Sequence, residues 1–283
     1  MASSEKHELH PDNKHRAPYD FTALSIAHPE LKDYLIKNDY GNISLDFSQA
    51  AAVKALNTAI LLDSYKIDFW DIPEGYLCPP IPSRADYLHY LNDLLGKPKK
   101  AKIFDLGAGA NCVYPLLGQR LFNWDFVCSE IDEIAQAHIE HLLKFNSLQK
   151  KIKLRKQKDA SSYFEGVIHP DEKFEACMCN PPFFLSAEHA QEANARKWKK
   201  LKKKGSRNFG GQHNELWCKG GEVAFIKGMI AESRGFRNQF EYFTVLVSRK
   251  NSLDLITPSF QDENYEIIEM AQGRKISRIL VWK

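Results

Sequence analysis

An α/β fold built on a mostly parallel sheet is predicted by three features of this sequence. From residue 102 onward, short apolar runs of strand length alternate with segments of helical periodicity, the pattern of strand–helix–strand units. The last two runs, "YEIIEMAQ" and "ISRILVW", are separated by only three residues, "GRK", which predicts an antiparallel hairpin on the sheet. Hydrophobic residues make up 43% of the 283 positions and charged ones 27%, enough apolar material for one large core in a soluble globular chain. Counting strand-like runs gives a seven-stranded sheet, expected over residues 81–283, with a helical N-terminal extension over 1–80.

The first 40 residues are polar and irregular, with His7, His10, Lys14, His15 and Arg16 among them. The start, "MASSEKHELHPDNKHRAP", lacks the apolar core of a secretory signal, and no apolar stretch approaches the roughly 20 residues that span a bilayer. A cytoplasmic protein with no membrane partner is expected. "SQAAAVKALNTAILLDSY" (48–65) predicts a helix: Ser48 caps it, alanines fill it, and Val53, Leu56 and Ile60 keep helical spacing. A proline-rich connection (71–83) leads to a second helix, which Ser83 is expected to open as a capping box with Asp86. Leu88, Leu91 and Leu95 are its apolar face.

In the sheet region the expected strands are "KIFDLG" (102–107), "FVCSEID" (126–132), "KIKLRKQ" (151–157), "FEACMCN" (174–180) and "FEYFTVLVS" (240–248). A helix between 133 and 147 is expected to turn Ile134, Leu142 and Phe145 to one side. "VAFIKGMIAESRG" (223–235) is expected to be helical and to stop at Gly235. A further helix is expected near "SLDLITPSF".

Six cysteines, Cys78, Cys112, Cys128, Cys177, Cys179 and Cys218, form no C-x-x-C pair, and most lie in apolar runs. They read as reduced core thiols, and no metal is expected. The net charge of +3 hides a concentration: "RKWKKLKKKGSR" (196–207) holds eight Lys/Arg and no acid, which leaves the rest of the chain net acidic. Such a block is either a solvated loop or a contact for an anionic partner.

Chemistry enters at three points in order. "FDLGAGANCVYPLLG" (104–118) has Asp105, Gly107 and Gly109 in a D-x-G-x-G pattern, where missing side chains let the backbone turn sharply against a ligand. The third glycine of a dinucleotide fingerprint would fall at Val113, which disfavours NAD. Glu130 ends the second strand 21 residues after Gly109, where a carboxylate can accept ribose hydroxyls. Asp132 rivals it, and caps the following helix if Glu130 holds the ribose. An adenosine-containing cofactor without a pyrophosphate fits, and S-adenosyl-L-methionine is the candidate. "EACMCNPPFFLS" then puts Asn180 at the end of the fourth strand, followed by the stiff turn Pro181–Pro182 and by Phe183 and Phe184. Methylating an exocyclic amine requires acceptors for its N–H groups, because its lone pair is delocalised into the ring. The Asn180 amide oxygen and the Pro181 carbonyl are those acceptors in this reading, with Phe183 or Phe184 stacking on the base.

N-P-P-F resembles the signature of amino-group methyltransferases of the Rossmann-like, S-adenosyl-L-methionine-dependent class. The strings "DLGAGANCVYPLLG", "CMCNPPFF", "KGGEVAFIKGMI" and "QGRKISRILVW" resemble one family within it, the RlmF-type 23S ribosomal RNA adenine-N6 methyltransferases. Their eukaryotic relatives methylate U6 small nuclear RNA. The likeness continues through "NISLDFSQAAAVKALN" and "CPPIPSRADYLHYLNDL" and covers nearly the whole chain. It implies methylation of one adenine of 23S ribosomal RNA (adenine 1618), as naked RNA or an assembling particle. It also implies cofactor contacts at Arg84, Gly107, Glu130 and Asp159, and a catalytic tetrad of Asn180, Pro181, Pro182 and Phe183.

On the RNA side the target adenine must be single-stranded or flipped out, because pairing hides its amino group. Lys199, Lys200, Lys202, Lys203 and Lys204 are candidate phosphate contacts and Trp198 a candidate stacking residue. Lys14 and Arg16 in the N-terminal extension offer a second basic contact. Glu222 in "GGE" and His213 read equally as capping or as site residues. A methyltransferase for another RNA or DNA adenine, or for a protein glutamine amide, is the alternative. Glutamine enzymes usually carry N-P-P-Y, and this chain has Phe183.

Overall fold

The computed structural model describes residues 8–184, 213–272 and 275–283. The basic run 196–207, with Trp198 and the five candidate lysines, lies outside the described residues.

Seven strands form one sheet: β3 (Lys102–Leu106), β4 (Asp125–Glu130), β5 (Ile152–Lys156), β6 (Phe174–Cys179), β7 (Phe240–Val247), β8 (Tyr265–Gln272) and β9 (Lys275–Trp282). Their order is β5-β4-β3-β6-β7-β9-β8, parallel from β5 to β7, with β9 antiparallel to both its neighbours. The hairpin is tighter than expected, because Lys275 belongs to β9 and pairs with Gln272. β3 and β6 are neighbours although four helical or strand elements separate them in sequence, so the connections diverge between them. Open α/β sheets bind ligands at such a switch point, beyond the carboxyl ends of the strands. The register pairs Leu106 with Cys179, so Gly107 and Asn180 are the next residues out on adjacent strands.

The central strands send their side chains to two apolar layers in turn. Ile103, Phe126, Cys128 and Met178 join a cluster with α3 (Ile81–Leu94), α4 (Val113–Phe122) and α5 (Glu133–Phe145). Phe104, Val127, Cys177 and Phe243 join the other, with Ile226, Met229 and Ile230 of α7 (Gly221–Ser233). Strands buried on both faces need apolar residues on both, which is why they read as continuous runs. Gly118 lets α4 lie on β4: a Cβ there would sit 2.5 Å from Phe126 Cζ.

Before the sheet come α1 (Phe21–Ala27), a small antiparallel ribbon of β1 (Leu35–Lys37) and β2 (Ile43–Leu45), and α2 (Ala50–Tyr65). Leu24, Ile60 and Leu61 belong to the same apolar cluster as Ile103 of β3. The segment before α1 clasps α3. Asn13 Nδ2 donates to Pro82 O and to Asp86 Oδ1, both at 2.9 Å, and His10 Nε2 bonds Asp93 Oδ2 at 2.9 Å.

Four local expectations are corrected. Ser48 does not cap α2, whose N-cap is Gln49 with no side-chain bond; the Ser48 N–H and hydroxyl are both held by Asp46. Ser83 and Asp86 form no capping box, because α3 begins at Ile81 after Pro80, and Asp86 instead accepts from His10 N and Asn13. In α5, Ile134 and Phe145 are exposed, Ile139, Leu142 and Leu143 join the apolar cluster with the sheet, and Ala135 packs with Tyr76 and Ala110. Gly235 does not end α7 as an αL cap, since the helix passes at Ser233 into a 3-10 turn, Arg234–Phe236. Of the cysteines, all but Cys218 are buried.

Glu172, between β5 and β6, ties two strands. It accepts from Arg155 Nη1 and Nη2 at 2.6 and 2.7 Å, from Lys102 Nζ at 2.9 Å and from His169 N at 3.1 Å. The Arg155 bonds, opposed by burial, hold its carboxyl at about 2 against an ordinary 4.5. A depressed carboxyl contributes stability above its unfolded value that is lost as pH falls through its folded value. Glu172→Gln is therefore expected to cost about 1–3 kcal/mol at neutral pH, the scale of a hydrogen bond to a charged group. The two proteins should converge between pH 4.5 and about 2. Denaturant titrations across that range check this, and an unchanging gap would refute it.

Candidate active site

A cavity of about 540 Å³ opens where β3 and β6 end. Its floor is the loop after β3. Gly107 and Gly109 take φ of 74° and 64°, the left-handed region that side chains disfavour. The loop is stitched to the end of β4: Ala108 N donates to Ser129 O at 3.0 Å, and Gly109 N to Glu130 Oε2 at 2.8 Å. Asn111 Oδ1 then accepts from Val113 N at 3.1 Å and starts α4.

Of the two acids at the end of β4 and just beyond it, Glu130 lines the cavity and Asp132 caps α5, accepting from Ala135 N at 2.8 Å and from Tyr76 Oη at 2.7 Å. Glu130 Oε1 accepts from Ile131 N and Asp132 N at 2.8 and 2.9 Å. Burial pushes its carboxyl up, and these backbone N–H groups oppose that. A carboxylate offers about four lone-pair sites, so a position remains for a ligand hydroxyl.

Arg84 reaches the cavity from the first turns of α3. It is buried, donates to Tyr114 Oη at 2.7 Å and lies 5.4 Å from the centre of that ring. A buried guanidinium with donors to spare matches a carboxylate. Asp105 stands behind the loop, outside the lining. Both its oxygens are enclosed without a hydrogen-bond partner, and burial with the nearby Glu130 pushes it up to about 8 while Arg84 opposes.

At the β6 end, Asn180, Pro181 and Pro182 line the cavity, and Asn180 Oδ1 is enclosed with no partner among the described residues. Phe183 follows outside the lining, half-buried. Phe183 N and Phe184 N both donate to Leu216 O, at 3.0 and 2.9 Å, and Cys218 N donates to Phe184 O. Leu216 closes the short helix α6 (His213–Leu216). Glu222 is taken up in structure, accepting from Ser248 N and Ser252 Oγ at 2.7 Å each. Asp159 lines the cavity but is exposed, and its Ser161 bonds hold its carboxyl low. Lys14 and Arg16 lie away from the cavity: Lys14 Nζ donates to Ser64 O at 2.9 Å and Arg16 pairs with Glu8.

Sequence reasoning missed Tyr114, Tyr163, Glu215, Trp217 and Phe225, all of which line the cavity. Tyr114 had a signal, as an aromatic in the first turn after the glycine loop. Glu215 had none: it accepts from Leu77 N at 2.8 Å across 138 positions.

A parallel sheet closed by an antiparallel hairpin, a glycine loop after β3 and an N-P-P-F turn after β6 define a Rossmann-like methyltransferase. The profile of a family described as RNA methyltransferase matches residues 3–283. The ribosomal RNA large subunit methyltransferase F of Pectobacterium carotovorum is 47% identical over 290 residues, covering 98% of this chain and 93% of its own length. That of Salmonella schwarzengrund is 46% identical over 291 residues, covering 99% and 94%. Among solved structures, the human METTL16 catalytic domain in complex with a MAT2A 3′UTR hairpin superposes with a TM-score of 0.87 at 29% identity, covering 98% of this chain and 95% of that one. The N-terminal domain of human METTL16 in complex with SAH gives 0.80 at 26% identity, covering 98% of each. The chain belongs to the RlmF-type family of RNA methyltransferases, related to METTL16.

Proposed function

We propose that this chain transfers the methyl group of S-adenosyl-L-methionine to the N6 amino group of a single adenine in 23S ribosomal RNA. The observation that carries the reading is Asn180 Oδ1, without a partner among the described residues, in a cavity that also holds Arg84 and Glu130. A buried acceptor without a donor is costly, and an incoming amino group satisfies it. The names of the bacterial relatives support ribosomal RNA as the substrate, and the SAH complex of METTL16 supports the cofactor.

When bound, S-adenosyl-L-methionine supplies an electrophilic methyl carbon. Arg84 holds the cofactor's carboxylate, and Glu130 accepts from a ribose hydroxyl. Asn180 Oδ1 and the Pro181 carbonyl accept from the adenine amino group and turn its lone pair out of conjugation. The two prolines keep those acceptors stiff, so orientation carries the catalysis. Phe183 or Phe184 stacks on the extruded base, Asp159 accepts from the cofactor's adenine, and Asp105 backs the glycine loop. Residues 1–80 contribute RNA contacts through Lys14 and Arg16. Among the described residues no helix is long and apolar enough to cross a membrane.

The test is transfer from labelled S-adenosyl-L-methionine to RNA, DNA and protein of cells lacking the gene, with nucleoside analysis of the product. Label is expected in 23S ribosomal RNA as N6-methyladenine at one position. Label in DNA or protein alone would overturn the proposal.

A further inference from the structure

One face of α7 is shaped around a single tyrosine. Phe225, Gly228 and Glu232 recur at intervals of three and four and so share that face. Glu232 takes the backbone of the facing loop: Oε2 accepts from Tyr163 N at 2.9 Å, and Oε1 from Phe164 N and Glu165 N at 2.8 and 2.7 Å. Gly228 makes room for the ring. A Cβ there would lie 2.3 Å from Tyr163 Oη and 2.8 Å from two ring carbons, and those are the three nearest atoms. Phe225 braces the ring edge-on, with centroids 4.9 Å apart and planes at 87°. Tyr163 and Phe225 both line the cavity, on the stretch that also carries Asp159, Ser161 and Ser162.

Loops lining the cavity follow the strand order outward from the switch point: Gly107 and Gly109 after β3, Glu130 and Ile131 after β4, then Gln157 to Tyr163 after β5. A nucleoside whose ribose is held at Glu130 directs its base toward that third loop. We propose that Tyr163 determines cofactor specificity, its ring walling the adenine end of the cavity and excluding bulk on the adenine, with Gly228 and Glu232 as its positioning residues. This rests on the cofactor reading above. A wall of this kind fixes the base by contact with its face or edge.

The experiment uses the full chain, titrated with S-adenosylhomocysteine in the absence of RNA and then assayed on 23S ribosomal RNA. The cofactors compared are S-adenosyl-L-methionine and its N6-benzyl derivative. Wild type is expected to reject the derivative. Tyr163→Ala is expected to weaken S-adenosylhomocysteine about tenfold, the scale of one aromatic contact, and to accept the derivative. Tyr163→Phe retains the wall and should behave as wild type. Gly228→Ala is expected to raise KM for S-adenosyl-L-methionine with kcat little changed. Its added effect should vanish in the Tyr163→Ala background, because the three atoms nearest the new methyl all belong to that side chain. If wild type binds S-adenosylhomocysteine but Tyr163→Ala binds it equally and still rejects the derivative, the inference fails. An additive Gly228→Ala effect in the double variant also counts against it. If wild type binds no S-adenosylhomocysteine, the cofactor reading itself fails.

Discussion

Asn180→Ala is expected to slow methyl transfer by about 10²–10³-fold, the scale of removing one preorganised hydrogen-bonding group from an active site. Affinity for S-adenosylhomocysteine should stay within about twofold, since the change spares the groups assigned to the cofactor. Asn180 follows Cys179, whose pairing with Leu106 sets it beside the glycine loop, and its Oδ1 has no partner among the described residues to release. Truncation therefore removes an acceptor without breaking a structural bond, and the fold should survive it. Single-turnover transfer and a binding titration separate the two effects. A parallel loss of rate and affinity would assign Asn180 to the cofactor instead.

Glu130→Ala should do the reverse and weaken the cofactor by about 10²-fold, from one lost hydrogen bond to a charged group and a loosened loop. Its carboxylate accepts from Gly109 N, Ile131 N and Asp132 N, so truncation also strips three backbone donors of their partner. Glu130→Gln can replace an acceptor on one side only and is expected to fall between. Calorimetric titration with S-adenosylhomocysteine measures both variants. An affinity unchanged in Glu130→Ala would leave the residue a purely structural staple.

The strands were legible because a sheet covered on both faces is mostly apolar inside, with few buried polar residues such as Asp105 and Thr244. "KIFDLG" and "FEACMCN" matched β3 and β6 to within a residue of their ends. The groups just past those ends, Gly107, Gly109 and Asn180, and Glu130 closing β4, were legible for the same reason, since a strand's run locates its end and the next residue. Capping was misread where a remote or neighbouring group won the same polar atom. Asp86 went to His10 and Asn13, more than 70 positions away, and Ser48 to Asp46. The phase of α5 was misread because Ile134 and Phe145 are apolar yet exposed, and periodicity alone does not say which apolar stripe meets the sheet.

By itself the sequence determined the order of the strands along the chain, the turn chemistry at their ends and the residue types available there, all of which are local properties. Only the tertiary structure decided that β3 lies beside β6, that Glu215 reaches Leu77, and that Tyr163 needs a glycine at 228. Those contacts join segments far apart in the chain. Their energetics depend on which surfaces meet when the sheet is covered, and no spacing along the sequence encodes that.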